Sequence, residues 1–194
     1  LGQGRSDVAR AHAERWADPK RRLDTARRLY AWRFGRVLPH RDIETLRGIE
    51  GARIKESYKL AAQRFGIEWH GRRYDRQNPT AADLPNQALN HAATFVEAAA
   101  DLAVAAVGAL PPLGFIHEDS SNAFTLDVAD LFRVDLTLPL AFGAVRALRD
   151  SETDNLEREV RRLATKLFRQ EKLIPRMIDR IKELFDVDDR GSDA

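Results

Sequence analysis

Apolar residues recur along this chain at intervals of three and four, the period of helices with one buried face. A first short helix is expected over Ser6–Trp16, with Ser6 as its cap. Asp18 and Pro19 have the form of an N-cap and first helical residue for a segment running to Phe34 and stopped by Gly35. Asp42 opens the next helix, which runs to Phe65 and ends at Gly66. Residues Ile67–Asn78 read as a loop or short hairpin turning at Gly71. A helix from about Pro85 to Val107 stops before Pro111 and Pro112. Phe115–His117 enters a further loop, and Asp119–Asn122 is turn-like. The pattern is helical again from Phe124 to Leu148, with a bend expected at Pro139. Ser151 starts a helix to about Gln170, and a last helix spans Leu173–Phe185 with Pro175 in its first turn. The fold class is therefore all-α, a single helical domain of about six to seven helices. Its divisions are a linker and first helix over 1–17, a helical body over 18–185 and a polar tail over 186–194, expected to fray.

Glu50 interrupts this pattern. On the helix after Asp42, the residues Ile43, Leu46, Ile54, Tyr58, Ala61 and Phe65 share a sector of roughly 120°, and Glu50 lies inside it. A carboxylate on an apolar stripe needs a cation, a hydrogen-bond network or a proton. Gly48 and Gly51 flank it and suggest a close backbone approach, since glycine inside a helix costs about 1 kcal/mol relative to alanine. The plainer alternative pairs Glu50 with Arg47 or Arg53 at a rim.

Asp127 and Asp130 form a second acidic point, three residues apart on one helix face, where they repel unless a cation or proton intervenes. His117 stands just upstream, in a loop able to fold back over that helix. Carboxylates with an imidazole suit Mg²⁺ or Mn²⁺. The plainer alternative is a helix start favoured by the macrodipole, with Asp130 paired to Arg133.

Composition sharpens this picture. With no cysteine among 194 residues, disulfides, thiolate zinc and cysteine catalysis are excluded, and any metal must be held by oxygen and imidazole. Such a chain suits a reducing, cytoplasmic setting. The least charged stretch, Ala88–Leu110, carries Asn90, His91, Glu97 and Asp101, which argues against a membrane span. The net charge of +2 hides an asymmetry. Residues 1–76 hold 19 Lys/Arg against 10 Asp/Glu, whereas residues 77–150 hold 3 against 9. A basic front and an acidic middle fit an anionic polymer meeting a cation pocket, or two solvated faces that cancel. The chain starts at Leu1 rather than Met, and Gly2 and Gly4 read as a linker, so a preceding segment is expected.

Several strings together resemble a known family. They are Arg33-Phe34-Gly35, Arg47-Gly48-Ile49-Glu50-Gly51 with Arg53, and Trp69-His70-Gly71-Arg72-Arg73-Tyr74-Asp75. Further on come Asn86-Gln87, Gly114-Phe115-Ile116-His117 and Asp127-Val128-Ala129-Asp130. In this order, over about Arg5–Arg180, they resemble the CRISPR-associated spacer-acquisition endonuclease/integrase of the type I-E subgroup, in its C-terminal helical catalytic domain. The resemblance implies that Glu50, His117 and Asp130 ligate Mg²⁺ or Mn²⁺, with Asp127 an auxiliary acidic catalytic residue beside them. It implies 3′-OH attack on a phosphodiester to insert new spacers into a CRISPR array, and cleavage of branched DNA by related chemistry.

The implied partners are double-stranded DNA with 3′-OH ends, CRISPR repeat DNA and the small ferredoxin-like adaptation protein. The full-length enzyme would be a homodimer, and no membrane is involved. Arg47, Arg72, Arg73 and Tyr74 match segments that meet DNA near the site. Arg158 and Arg161 match further DNA-contacting positions, on a helix whose basic sector (with Arg162, Lys166 and Arg169) opposes Leu156, Val160, Leu163 and Leu167. Two departures stand out. The N-terminal β domain of such enzymes is missing from this sequence, and Glu118-Asp119 follows His117 where relatives often carry glycine and a basic residue. The competing readings are a non-catalytic helical DNA-binding module and a helical interaction protein without a nucleic-acid partner.

Overall fold

A computed structural model describes residues 3–40, 42–73, 82–150 and 155–187. Among them the chain forms eight α-helices: α1 (Gln3–Ala17), α2 (Pro19–Phe34), α3 (Ile43–Phe65), α4 (Leu84–Val107), α5 (Ala123–Asp130), α6 (Leu138–Arg149), α7 (Leu156–Gln170) and α8 (Leu173–Phe185). The all-α class is as expected. No helix among the described residues is long and apolar enough to cross a membrane.

The expected stops and starts operate where they were read. Asp18 accepts the N–H groups of Lys20 and Arg21, and Asp42 those of Glu44 and Thr45, each filling donors that the first helical turn leaves open. Gly35 ends α2 in the left-handed region at φ 68°, a conformation in which side chains with a Cβ are strained.

Three boundaries differ. The helix expected from Ser6 already begins at Gln3, so Ser6 lies inside α1 rather than capping it. The segment expected to bend at Pro139 breaks before it: α5 ends at Asp130, a π-helical turn covers Arg133–Thr137, and α6 then starts with Pro139 in its first turn. A proline tolerates that place because its missing N–H would have no helical acceptor there. Finally, Asn155 caps α7 by accepting the Arg158 N–H; the start expected at Ser151 lies outside the described residues, as does most of the polar tail.

The chain divides into two compact units, residues 48–96 with 132–171, and residues 1–47, 97–131 and 172–194. The former is built on an apolar cluster in which Tyr58, Leu89, Leu138, Phe142 and Val160 are buried. Trp69 stacks on Tyr58 and meets Phe142 edge-on. In the latter, α1 packs against α2 and α8. Asp186 joins Arg15 and Arg28 at 2.5 and 3.0 Å, and the guanidinium groups of Arg28 and Arg180 lie over the Trp32 ring, 5.2 and 5.0 Å from its centroid.

At the centre of that second unit is a fully buried histidine. His12 is caged by Phe115, Phe124 and Phe185, with ring centroids 4.4 to 5.3 Å away. Its Nδ1 accepts the Leu110 N–H at 3.1 Å, so Nε2 carries the proton and donates it to the Leu113 carbonyl at 2.7 Å. Burial pushes its pKa down to about 4, against smaller opposing pulls from the Leu113 carbonyl and Asp127. The unfolded chain therefore binds a proton that the folded chain refuses between about pH 4 and 6.5. Stability from this group is fully present above pH 6.5 and drains away as the pH falls. At pH 5 the loss is expected to reach about 2 kcal/mol, and urea unfolding at pH 7 and pH 5 should register it. The His12→Phe variant should lose that part of the pH dependence.

Candidate functional site

The residues after α4 turn sharply. Gly108 takes φ 76°, Pro111 and Pro112 prevent helix continuation, and residues 110–117 cross the start of α5 as an irregular strip. An irregular buried strip must find partners for its backbone groups. Asp127 supplies them from α5. Its Oδ2 accepts the N–H groups of Phe115 (2.7 Å) and Ile116 (3.1 Å), and its Oδ1 accepts that of His117 (3.1 Å). The same Oδ1 lies 2.7 Å from His117 Nδ1. As a carboxylate Asp127 can only accept, so Nδ1 carries a proton, and in the neutral ring the lone pair is on Nε2.

That Nε2 faces Asp130 Oδ2 at 3.9 Å, one helical turn beyond Asp127. A lone pair opposite a carboxylate oxygen is unfavourable unless positive charge stands close. One source is Arg33, near the end of α2, whose guanidinium lies 3.5 Å from Asp130 Oδ2 and 3.8 Å from Asp127 Oδ1 with a side chain only 5% exposed. Arg33 also donates to the Asp127 carbonyl at 3.3 Å. Arg33 is thus one cation beside the paired aspartates. In sequence its only signal was the Arg33-Phe34-Gly35 string at a helix end.

The structure brings His117, Asp127 and Asp130 together. Glu50 lies half-buried on α3, in the unit containing residues 48–96. Among the described residues no group of three His, Asp or Glu side chains is close enough to hold one ion. The donor chemistry of the pair fits a divalent cation. A metal-ligating histidine characteristically ties its other nitrogen to a carboxylate, as His117 does to Asp127. Two ligands of an octahedral Mg²⁺ stand at most about 4.2 Å apart, and the His117–Asp130 separation lies inside that limit. Asp127 already receives four donors, so beside a cation it would support the imidazole rather than act as a ligand itself.

The glycines beside Glu50 require a correction. A Cβ built at Gly48 or Gly51 meets nothing within 4 Å among the described residues, so they mark no close backbone approach. Gly51 instead opens onto a cavity of about 640 Å³. Tyr58 and Trp69 form its aromatic wall, and Lys55, Lys59, Arg72 and Arg133 line it, with no acidic residue lining it among the described residues. Such a lining suits an anion with a flat apolar part.

Of the residues assigned to DNA contact, Arg47 is exposed and donates to the Ile116 carbonyl at 3.3 Å. Arg72 reaches Asn86 Oδ1 (3.1 Å) and Asn90 Oδ1 (2.7 Å), while the Arg73 N–H donates to Asn86 Oδ1 (2.9 Å). Asn86 is fully buried and also donates to the Gly71 carbonyl and Asp83. It organises the irregular segment carrying both arginines, a role that reading spacing alone did not reveal. Tyr74 lies outside the described residues. On α7 the basic residues are exposed above buried Leu156, Val160 and Ala164. Part of that rail is already paired: Arg161 meets Glu157 at 2.5 Å, and Arg162 grips Glu159 through two nitrogens. This guanidinium holds the Glu159 carboxyl below its usual range.

Comparison with known proteins supplies the family. The profile of the CRISPR associated protein Cas1 family matches residues 3–174. The chain belongs to the Cas1 family. The CRISPR-associated endonuclease Cas1 2 of Thermus thermophilus is 38% identical over 188 residues, covering 95% of this chain and 56% of that protein. The Cas1 endonuclease of Escherichia coli K12 is 34% identical over 184 residues, covering 94% and 59%. The crystal structure of a TtCas1–DNA complex superposes with a TM-score of 0.84 at 36% identity, covering 95% of this chain and 66% of that one. A casposase bound to integration product shares the fold, with a TM-score of 0.70 at 15% identity. The chain thus spans a little over half the length of the curated Cas1 relatives it matches.

Proposed function

We propose that this chain is the helical catalytic region of a Cas1-type, divalent-metal-dependent DNA endonuclease and integrase. The observation that carries the reading is the His117–Asp127–Asp130 constellation, in which one carboxylate fixes the imidazole tautomer and a second faces its lone pair. In this reading His117 Nε2 and Asp130 ligate Mg²⁺ or Mn²⁺, and Glu50 supplies the third protein ligand. The family resemblance supports Glu50, as does its place on the apolar face of α3.

A divalent ion held there would neutralise phosphate charge and polarise the scissile phosphodiester. The chain's own groups do the rest. Asp127 holds the imidazole so that Nε2 points outward, and Arg33 balances the two aspartates without entering the ligand set. In strand transfer a 3′-hydroxyl oxygen forms a new P–O bond as an existing one breaks, releasing another 3′-hydroxyl and conserving the number of phosphodiesters. Hydrolysis follows the same geometry with water as nucleophile. Arg47, Arg72, Arg73, Tyr74, Arg158 and Arg161 would meet DNA phosphates, a salt-sensitive mode of binding. Since Arg161 is paired with Glu157, DNA would have to compete for it. The proposed partners are DNA with 3′-OH ends, CRISPR repeat DNA, a second full-length copy and the small ferredoxin-like adaptation protein, in the cytoplasm.

Replacing Asp130 with alanine tests this reading. Its side chain is 13% exposed and it is the last residue of α5, so the helical circular dichroism should persist. Mn²⁺ affinity and Mn²⁺-dependent cleavage or joining of branched DNA should fall by at least about 100-fold, the scale on which removing one charge-stabilising group acts. Metal binding unchanged in Asp130→Ala would remove it from the site. A purely DNA-binding module would instead keep salt-dependent DNA affinity while showing no response to Mn²⁺ in either form.

A further inference from the structure

We propose that His12, with Trp16 one turn further along α1, is a positioning residue that sets the loop bearing His117 and so fixes where its Nε2 stands relative to Asp130. The inference rests on the metal reading for its functional consequence, but its geometry stands independently.

The loop is held from two sides by groups of opposite character. From α5, Asp127 accepts the successive N–H groups of Phe115, Ile116 and His117. From α1, the two carbonyls immediately before them are taken: His12 Nε2 donates to Leu113 (2.7 Å) and Trp16 Nε1 donates to Gly114 (3.1 Å). His12 Nδ1 then accepts the Leu110 N–H at 3.1 Å, spanning the loop's entry as well. Neither clamp alone defines the strip. Asp127 could follow a shifted loop by rotating its carboxylate, and α1 could hold Leu113 and Gly114 without specifying the three residues after them. Together they leave the His117 backbone little freedom.

Packing alone does not account for a histidine at this place. If filling the cage of Phe115, Phe124 and Phe185 were the whole task, a fourth phenylalanine would do it without burying two polar nitrogens. Imidazole is the side chain of that size able to donate from one edge and accept at another. A half-turn of the ring would put Cδ2 and Cε1 where the two nitrogens now stand, and both bonds would be lost. Burial also keeps the ring neutral near pH 7, as both bonds require, since a proton on Nδ1 would displace the Leu110 N–H.

The test uses the whole 194-residue chain. His12→Phe keeps the aromatic filling and removes both bonds, His12→Gln retains a donor toward Leu113, and Trp16→Phe deletes only the indole N–H. Val145→Ala, in the unit containing residues 132–171, serves as a control for general destabilisation. Amide hydrogen exchange at Phe115–His117, the ¹⁵N signals of the His117 ring and Mn²⁺ affinity by calorimetry are measured in each. His12→Phe should speed exchange at those three amides by about tenfold or more, the consequence of losing hydrogen bonds of ordinary strength. It should also turn the His117 ring from one tautomer to a mixture and weaken Mn²⁺ binding by about tenfold. Exchange within α7 should not change. Trp16→Phe should act in the same direction, and His12→Gln should recover part of the loss. If His12→Phe does not fold, the other two variants carry the comparison. The proposal is overturned if loop exchange and ring signals stay as in the parent chain, or if Val145→Ala reproduces the changes. A parent chain that binds no Mn²⁺ would sink the metal reading, while exchange and ring signals would still decide the positioning role.

Discussion

Replacing Asp127 with alanine should lower the unfolding free energy by about 3–5 kcal/mol, among the largest effects expected of any single substitution in this chain. The side chain is fully buried and receives three backbone N–H groups and the His117 imidazole. Its removal strands those donors away from water, each at a cost of about 1–3 kcal/mol before relaxation. It also leaves the buried Arg33 guanidinium facing one carboxylate where it had faced two. Asp127→Asn should be milder but still costly, because one of its two acceptor positions becomes a donor opposed to backbone N–H groups. Equilibrium urea unfolding would measure both. A cost below about 1 kcal/mol for Asp127→Ala would show that the loop finds other partners.

Gly114→Ala should have an effect of similar size through steric exclusion. A Cβ at Gly114 would collide with the His117 carbonyl oxygen and stand 2.7 Å from the Ala123 Cβ. Neither obstacle is the yielding end of a long side chain. The first is backbone of the loop that Asp127 and α1 hold, and the second sits in the first turn of α5. Relief requires residues 114–117 to move, which breaks the bonds to Asp127 or to Trp16. The expected cost is about 3–5 kcal/mol, or a fall of roughly 6–20 °C in Tm for a domain of this size. Metal affinity should fall with it, because His117 moves with the loop. Thermal unfolding followed by circular dichroism would give the shift directly. A variant as stable as the parent would mean that the close approach at Gly114 is not kept in solution.

The sequence carried most of the helices because their ends are written locally. Asp18-Pro19, Gly35, Asp42 and Gly66 act through hydrogen bonds and backbone angles within a few residues of themselves. The π-helical turn before Pro139 was not legible, since a π turn depends on how its neighbours pack. The site was legible in part. The acidic pair and the upstream histidine could be picked out as an unusual cluster, and their convergence follows from Asp127 gathering the loop. Arg33, His12 and Asn86 were not legible as supports, because each acts on residues 13 to 101 positions away. Gly48 and Gly51 misled for the opposite reason: a glycine inside a helix can mark crowding or open space, and only the surroundings distinguish them.

His117, Asp130 and Glu50 are proposed above as the protein ligands of one divalent cation. A crystal structure of this chain soaked in Mn²⁺, with anomalous differences recorded at a wavelength favouring manganese, tests that assignment most directly. The account predicts one strong peak at about 2.0–2.3 Å from His117 Nε2 and from carboxylate oxygens of Asp130 and Glu50, with Asp127 still bound to Nδ1. A peak elsewhere, or none while His117 and Asp130 keep their present geometry, would contradict it.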